Sequence, residues 1–111
     1  MADIWKRTQV ARKISELTRK ISELKIFKPQ IESSIRDEQE AQRIYDILIV
    51  QADRITTMDA DMRSLNFNSK IRGIRNQENE HEGKLKLMLQ NTAQQIIQSE
   101  TMLKDEQRKL L

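Results

Sequence analysis

Glu38-Gln-Glu-Ala-Gln-Arg-Ile-Tyr-Asp-Ile-Leu-Ile-Val-Gln-Ala52 is the stretch on which the fold turns. Ile44, Tyr45, Ile47, Leu48, Ile49 and Val50 crowd its second half, with Asp46 the only polar interruption. A run of that length could make a strand. Polar helix-formers flank it, however, and no turn residues bound it, so it reads as the middle of a long helix. Apolar side chains then cover more of that helix than one neighbour can bury. At least two neighbours are expected, and the rest of the chain has to supply them.

Upstream the pattern is regular. Val10, Ile14, Leu17, Ile21 and Leu24 follow one another at alternating four- and three-residue steps, and Ile-Ser-Glu-Leu occurs at both 14–17 and 21–24. That is a heptad seam on a helix. Pro29 is the only proline, and it disfavours helix at Lys28, so a break or a kink is expected there. Ile31 and Ile35 nevertheless continue the seam in phase. Beyond Pro29 one stripe runs Ile31, Ile35, Glu38, Gln42, Tyr45, Ile49, Ala52, and a second runs Ala41, Ile44, Leu48, Gln51, Ile55, Met58, Met62, Leu65. The two are about one position out of phase, which also argues for two partners.

Ser64-Leu-Asn-Phe-Asn-Ser69 reads as a turn, with Ser69 a candidate cap; Thr56-Thr-Met-Asp59 is the competing place. After it come Ile71, Ile74, Glu78, His81, Leu85 and Met88, then Leu89, Ile96, Leu103 and Leu110 at seven-residue spacing. The expected fold is all-α: a long antiparallel helical hairpin or three-helix bundle with coiled-coil packing, helices about 3–27, 30–64 and 70–109, in a single domain over 1–111. Its seam would be Val10, Ile14, Leu17, Ile21, Leu24, Ile44, Tyr45, Leu48, Ile49, Ile55, Leu89, Ile96 and Leu103. Trp5 is expected to anchor the first helix, and Met58, Met62, Met88 and Met102 to fill the core.

Composition narrows the function. Of 111 residues, 37% are apolar and 33% charged, with two glycines and no cysteine, which suits solvated helices and leaves no thiolate site. Residues 1–28 carry eight basic and three acidic groups, residues 29–64 four and eight, residues 65–111 eight and six. Such asymmetry suits helices with complementary faces. The basic pairs Lys6–Arg7, Arg12–Lys13 and Arg19–Lys20 form a stripe, but Glu16 and Glu23 interrupt it and only Trp5 could stack on a base, so nucleic acid is disfavoured as a partner. No apolar run suggests a membrane span or signal peptide, which places the expectation in the cytoplasm, with leaderless export open.

Chemistry is confined to two places. Glu78-Asn-Glu-His81 sets the only histidine one helical turn after a carboxylate, both on the expected inward seam. Glu38 lies seven residues before Tyr45, the only tyrosine, on another inward stripe. Buried carboxylate and imidazole are costly unless paired or bound.

Together, Ile35-Arg-Asp-Glu38-Gln-Glu-Ala41-Gln-Arg-Ile-Tyr45 and Glu78-Asn-Glu-His81-Glu-Gly83-Lys-Leu85 resemble the two ligand helices of the ferritin-like and rubrerythrin-like family. The resemblance spans about residues 35–90. It implies iron as cofactor, with Glu38, Glu78 and His81 as ligands in half a di-iron site. Iron oxidation or storage would then follow, the site forming when two hairpins dimerise, as in encapsulated ferritins. Glu38 and Glu78 are, however, 40 residues apart. A turn near Phe67 would offset them by about 25–30 Å at the rise of an α-helix, and only one near Met58 would bring them level.

The bland reading is a polar layer that fixes register. On that reading the protein is a non-enzymatic adaptor without cofactor. It would pair through its seams with itself or with another helical protein, such as a partner in a bacterial secretion or assembly machine.

Overall fold

The computed structural model describes residues 2–58 and 60–111. Helix α1 runs Ala2–Met58, a short α2 runs Ala60–Arg63, and α3 runs Phe67–Arg108, giving an all-helical hairpin without strands among the described residues. Asp59, which ends the competing turn candidate, lies outside the described residues.

Of the break or kink expected at Pro29, the break does not occur, and the first two expected helices are one. Pro29 stands on the outer face, beside an exposed Lys25 whose carbonyl loses its helical donor, so water can reach the orphaned group. Interior proline costs about 3 kcal/mol. Against this, Ile31 is 3% exposed and Ile35 is 7% exposed, and both stay on the seam only if the helix continues in phase. Burying side chains of that size contributes about 1.5–3 kcal/mol each. Tertiary packing therefore outweighs the local rule.

The chain forms two compact units, one of residues 1–31 with 88–111 and the other of residues 32–87. In the first, Leu17 and Ile21 are buried on α1, Thr92 and Ser99 on α3, with Val10, Ile14, Leu24, Leu89, Ile96 and Leu103 half-buried. Lys25 reaches Glu100 at 3.0 Å and Lys20 bonds Gln95 at 3.2 Å. Ser99 is 1% exposed, and its hydroxyl has no partner. Trp5 is largely exposed and Met88 and Met102 are 43% and 44% exposed, so none is the buried anchor or filler expected, and the side chain of Met62 lies outside those described.

In the second unit Ile35, Ile49, Ala52 and Thr56 are buried on α1, and Tyr45 is half-buried. These positions extend the four-and-three spacing of the upstream seam, as Ile71, Arg75, Glu78, Glu82 and Leu85 do on α3. Ile44, Leu48 and Ile55, expected among the seam residues, stand exposed one position ahead of it, and Met58 is more exposed still.

The reversal lies between the two places weighed from sequence. Gln42 bonds Glu82, Asp46 pairs with Arg75, and Asp53 meets both Arg72 and Asn68, so the pairing converges on α2. Thr56 and Thr57 donate to Asp53 O and Arg54 O near the end of α1. Asn66, at φ 54°, closes the turn by donating to Arg63 O and accepting from Lys70 N. Asparagine tolerates that left-handed conformation better than most residues. Ser69 is therefore not the cap but lies inside the first turn of α3, where its N–H donates to Asn68 Oδ1 at 2.9 Å.

Candidate metal site

With the reversal at α2, Glu38 and Glu78 come within side-chain reach of each other in the second unit. One ligand atom from each of Glu38, Glu78 and His81 can be chosen so that all lie within 4.8 Å of one another. Glu38 comes from α1, Glu78 and His81 from successive turns of α3. The two glutamates are half-buried on the seam, and His81 is exposed beside it. This corrects its expected inward place. The seam steps from Glu78 to Glu82, four residues on, so His81 falls one position short and sits on the flank.

The electrostatics are those of two acids forced together. The Glu38 carboxyl is held above its ordinary range, first by hydrogen bonding with the Glu78 carboxyl, then by desolvation and by the negative charge of Glu78, with His81 pulling the other way. Glu38 Oε2 is buried and has no hydrogen-bond partner. A proton can relieve this repulsion, and so can a cation.

The layer beside the site was not singled out from sequence as functional. Gln42 Nε2 donates to Glu82 Oε1 at 2.7 Å across the hairpin, and Lys86 Nζ pairs with Glu82 Oε2 at 2.7 Å. The Lys86 ammonium, then the Gln42 amide, holds the Glu82 carboxyl below its ordinary range. Gln42 and Glu82 each stand four residues after a candidate ligand. The helices run antiparallel, so these two steps point in opposite directions, and the bond ties together the same two segments that carry Glu38 and Glu78. The one available signal was Gln42 itself, an amide on an apolar stripe. Tyr45 lies on the far side of that layer on α1. A Cβ at Gly83 would meet nothing within 4 Å, so no close packing calls for glycine after the histidine.

Two carboxylates and an imidazole offer hard oxygen donors with one borderline nitrogen, a set that suits ferrous, manganous and zinc ions. The orphaned Glu38 oxygen fits such an ion, since it has no proton donor of its own. No helix among the described residues is long and apolar enough to cross a membrane. No protein-family model, curated protein or solved structure matches the chain.

Proposed function

We propose that the hairpin is a metal-binding protein that holds a divalent transition ion, ferrous iron foremost, between Glu38, Glu78 and His81. The observation that carries this reading is the meeting of those three donors within 4.8 Å of one another, in a group whose Glu38 also has a buried, unpartnered oxygen. Glu38 and Glu78 supply the charge that neutralises the ion, and His81 supplies the nitrogen that favours a transition metal over magnesium or calcium. Gln42 and Glu82 tie the same two helical segments together beside it. Bound ferrous iron would supply one-electron chemistry, which fits the iron oxidation or storage that the ferritin-like resemblance implies.

The test is metal content after purification with iron, together with thermal melts of wild type and His81→Leu with and without ferrous iron under anaerobic conditions. Iron should raise the midpoint of the wild type and leave the variant unmoved, because an ion bound only by the folded state stabilises it. No iron effect on the wild type would overturn the assignment.

The second reading is the helical adaptor. The seam that was to recruit a partner is spent inside the chain, where Leu17, Ile21 and Ile49 are buried. What favours this reading now is the outer stripe of Ile44, Leu48 and Ile55, which remains open.

A further inference from the structure

The first unit has two unlike flanks. On one, Lys25 pairs with Glu100 across the hairpin, so the charges there are met within the chain. On the other, Lys20 Nζ donates to Gln95 Oε1, and Lys6 and Lys109 line one hollow at the end of the helix pair. Seven-residue steps from these contacts mark the two rows that border the seam on that side. The row on α1 is Lys6, Lys13, Lys20 and Phe27, and the row on α3 is Met88, Gln95, Met102 and Lys109. All eight are exposed, and neither row holds an acid.

Further round α1 stands a third row, Trp5, Arg12, Arg19 and Ile26, with Glu16 and Glu23 between it and the lysines. Glu23 is taken up by Arg19 at 3.3 Å, and Glu106 by Lys109 at 2.9 Å. Six basic groups against those three acids leave the face at +3. Large apolar side chains are set among the cations: Trp5 at one end, Ile26, Phe27 and Met88 at the other, Met102 between, all of them exposed. A nucleic-acid backbone would meet the cations and offer nothing to those apolar groups. The boundary between head groups and acyl chains in an anionic bilayer meets both, and tryptophan favours that boundary. Clusters of about four to eight Lys and Arg suit its surface charge.

We propose that this face of the first unit docks on an anionic phospholipid surface, with Trp5 set among the head groups. From Lys6 to Phe27 the face follows α1 for about 32 Å at the rise of an α-helix, so the contact is an extended one. It lies along the surface, since no helix among the described residues is long and apolar enough to cross a bilayer. The hollow beside Trp5, about 540 Å³, gathers Lys6, Arg7 and Lys109 against a single acid, Asp3, and admits a lipid phosphate. None of this rests on the metal reading, whose residues belong to the other unit.

The experiment uses the full chain with vesicles of phosphatidylcholine, alone or mixed with phosphatidylglycerol. Trp5 is the only tryptophan, so its fluorescence reads the contact directly. The mixed vesicles should sediment the protein and shift Trp5 emission to the blue, and added salt should weaken both effects. Vesicles of phosphatidylcholine alone should do neither. The double variant Lys13→Glu, Lys20→Glu should bind the mixed vesicles at least tenfold more weakly while keeping its helical circular dichroism, since both side chains are exposed. Lys70→Glu with Lys84→Glu makes the same charge change at exposed positions of the other unit and should bind as wild type. No sedimentation or no blue shift with the mixed vesicles, equal binding to phosphatidylcholine alone, or equal loss in the two double variants would each overturn the proposal. Tighter binding to duplex DNA than to the mixed vesicles, lost in the Lys13 and Lys20 variant, would overturn it in favour of a nucleic-acid face.

Discussion

At the scale of single residues, the second unit contains a conflict that it does not resolve by itself. Glu38 and Glu78 cannot both be charged at close range without cost, and the Glu38 carboxyl responds by holding its proton above the ordinary carboxylate range. Such a group favours the folded metal-free protein at pH below its unfolded-state value, and this contribution is lost as pH rises through the raised folded-state value. Glu38→Gln keeps a neutral side chain there, so the metal-free variant should melt higher than wild type at neutral pH. The difference should shrink on acidification, while binding of ferrous iron is lost. Equal midpoints at both pH values would show that the two carboxylates do not oppose each other. Ser99 presents a simpler case. Its hydroxyl is buried without a partner, so Ser99→Ala should leave stability unchanged or raise it by about 1 kcal/mol in denaturant unfolding. A loss of that size would reveal a hydrogen bond at Ser99.

At the scale of elements, α1 shows which signals in the sequence carried and which misled. The heptad from Val10 to Leu24 was legible because burial follows it, and continuation to Ile31 and Ile35 was legible for the same reason. The break at Pro29 was a local inference overruled by that in-phase burial. Ile44, Leu48 and Ile55 were grouped with the core because spacing reports that residues share a face, not which face meets the neighbour. His81 was misplaced by the same ambiguity, since a run through Ile74, His81 and Met88 has the right period but stands one position off the seam. The candidate ligands Glu38, Glu78 and His81 were named by what the ferritin-like resemblance implies. Their convergence could not be read, because it depends on a reversal into which the sequence inserts α2. These readings carry two tests. Pro29→Ala restores a helical donor on a solvated face and should raise stability by about 1–3 kcal/mol, measured by urea unfolding. Leu17→Asp puts a charge where only 5% of the residue is exposed, and should cost several kcal/mol. An unchanged melting midpoint would mean that the α1 segment of the first unit is not held against α3.

At the scale of the molecule, the candidate chemistry belongs to one unit only. Glu38, Glu78, His81 and the Gln42–Glu82 bond all lie within residues 32–87, while the first unit has the more continuous apolar seam on α1 and no cluster of three possible metal ligands among its described residues. Long paired helices accumulate stability from neighbouring turns, and local opening in such structures need not involve the whole chain. An ion that ties Glu38 on α1 to Glu78 and His81 on α3 must be released before those turns can separate. Ligand linkage sets the scale, about 2.7 kcal/mol when free ion stands at 100 times its dissociation constant, or about a hundredfold in the opening equilibrium. Native-state hydrogen exchange with and without ferrous iron, under anaerobic conditions, should therefore show amides around residues 38–42 and 78–82 slowed towards that limit. Amides of α1 before Ile31 and of α3 after Met88 should change little. Uniform slowing along both helices would mean that the hairpin opens only as a whole, so that a metal held in one unit stabilises the entire molecule.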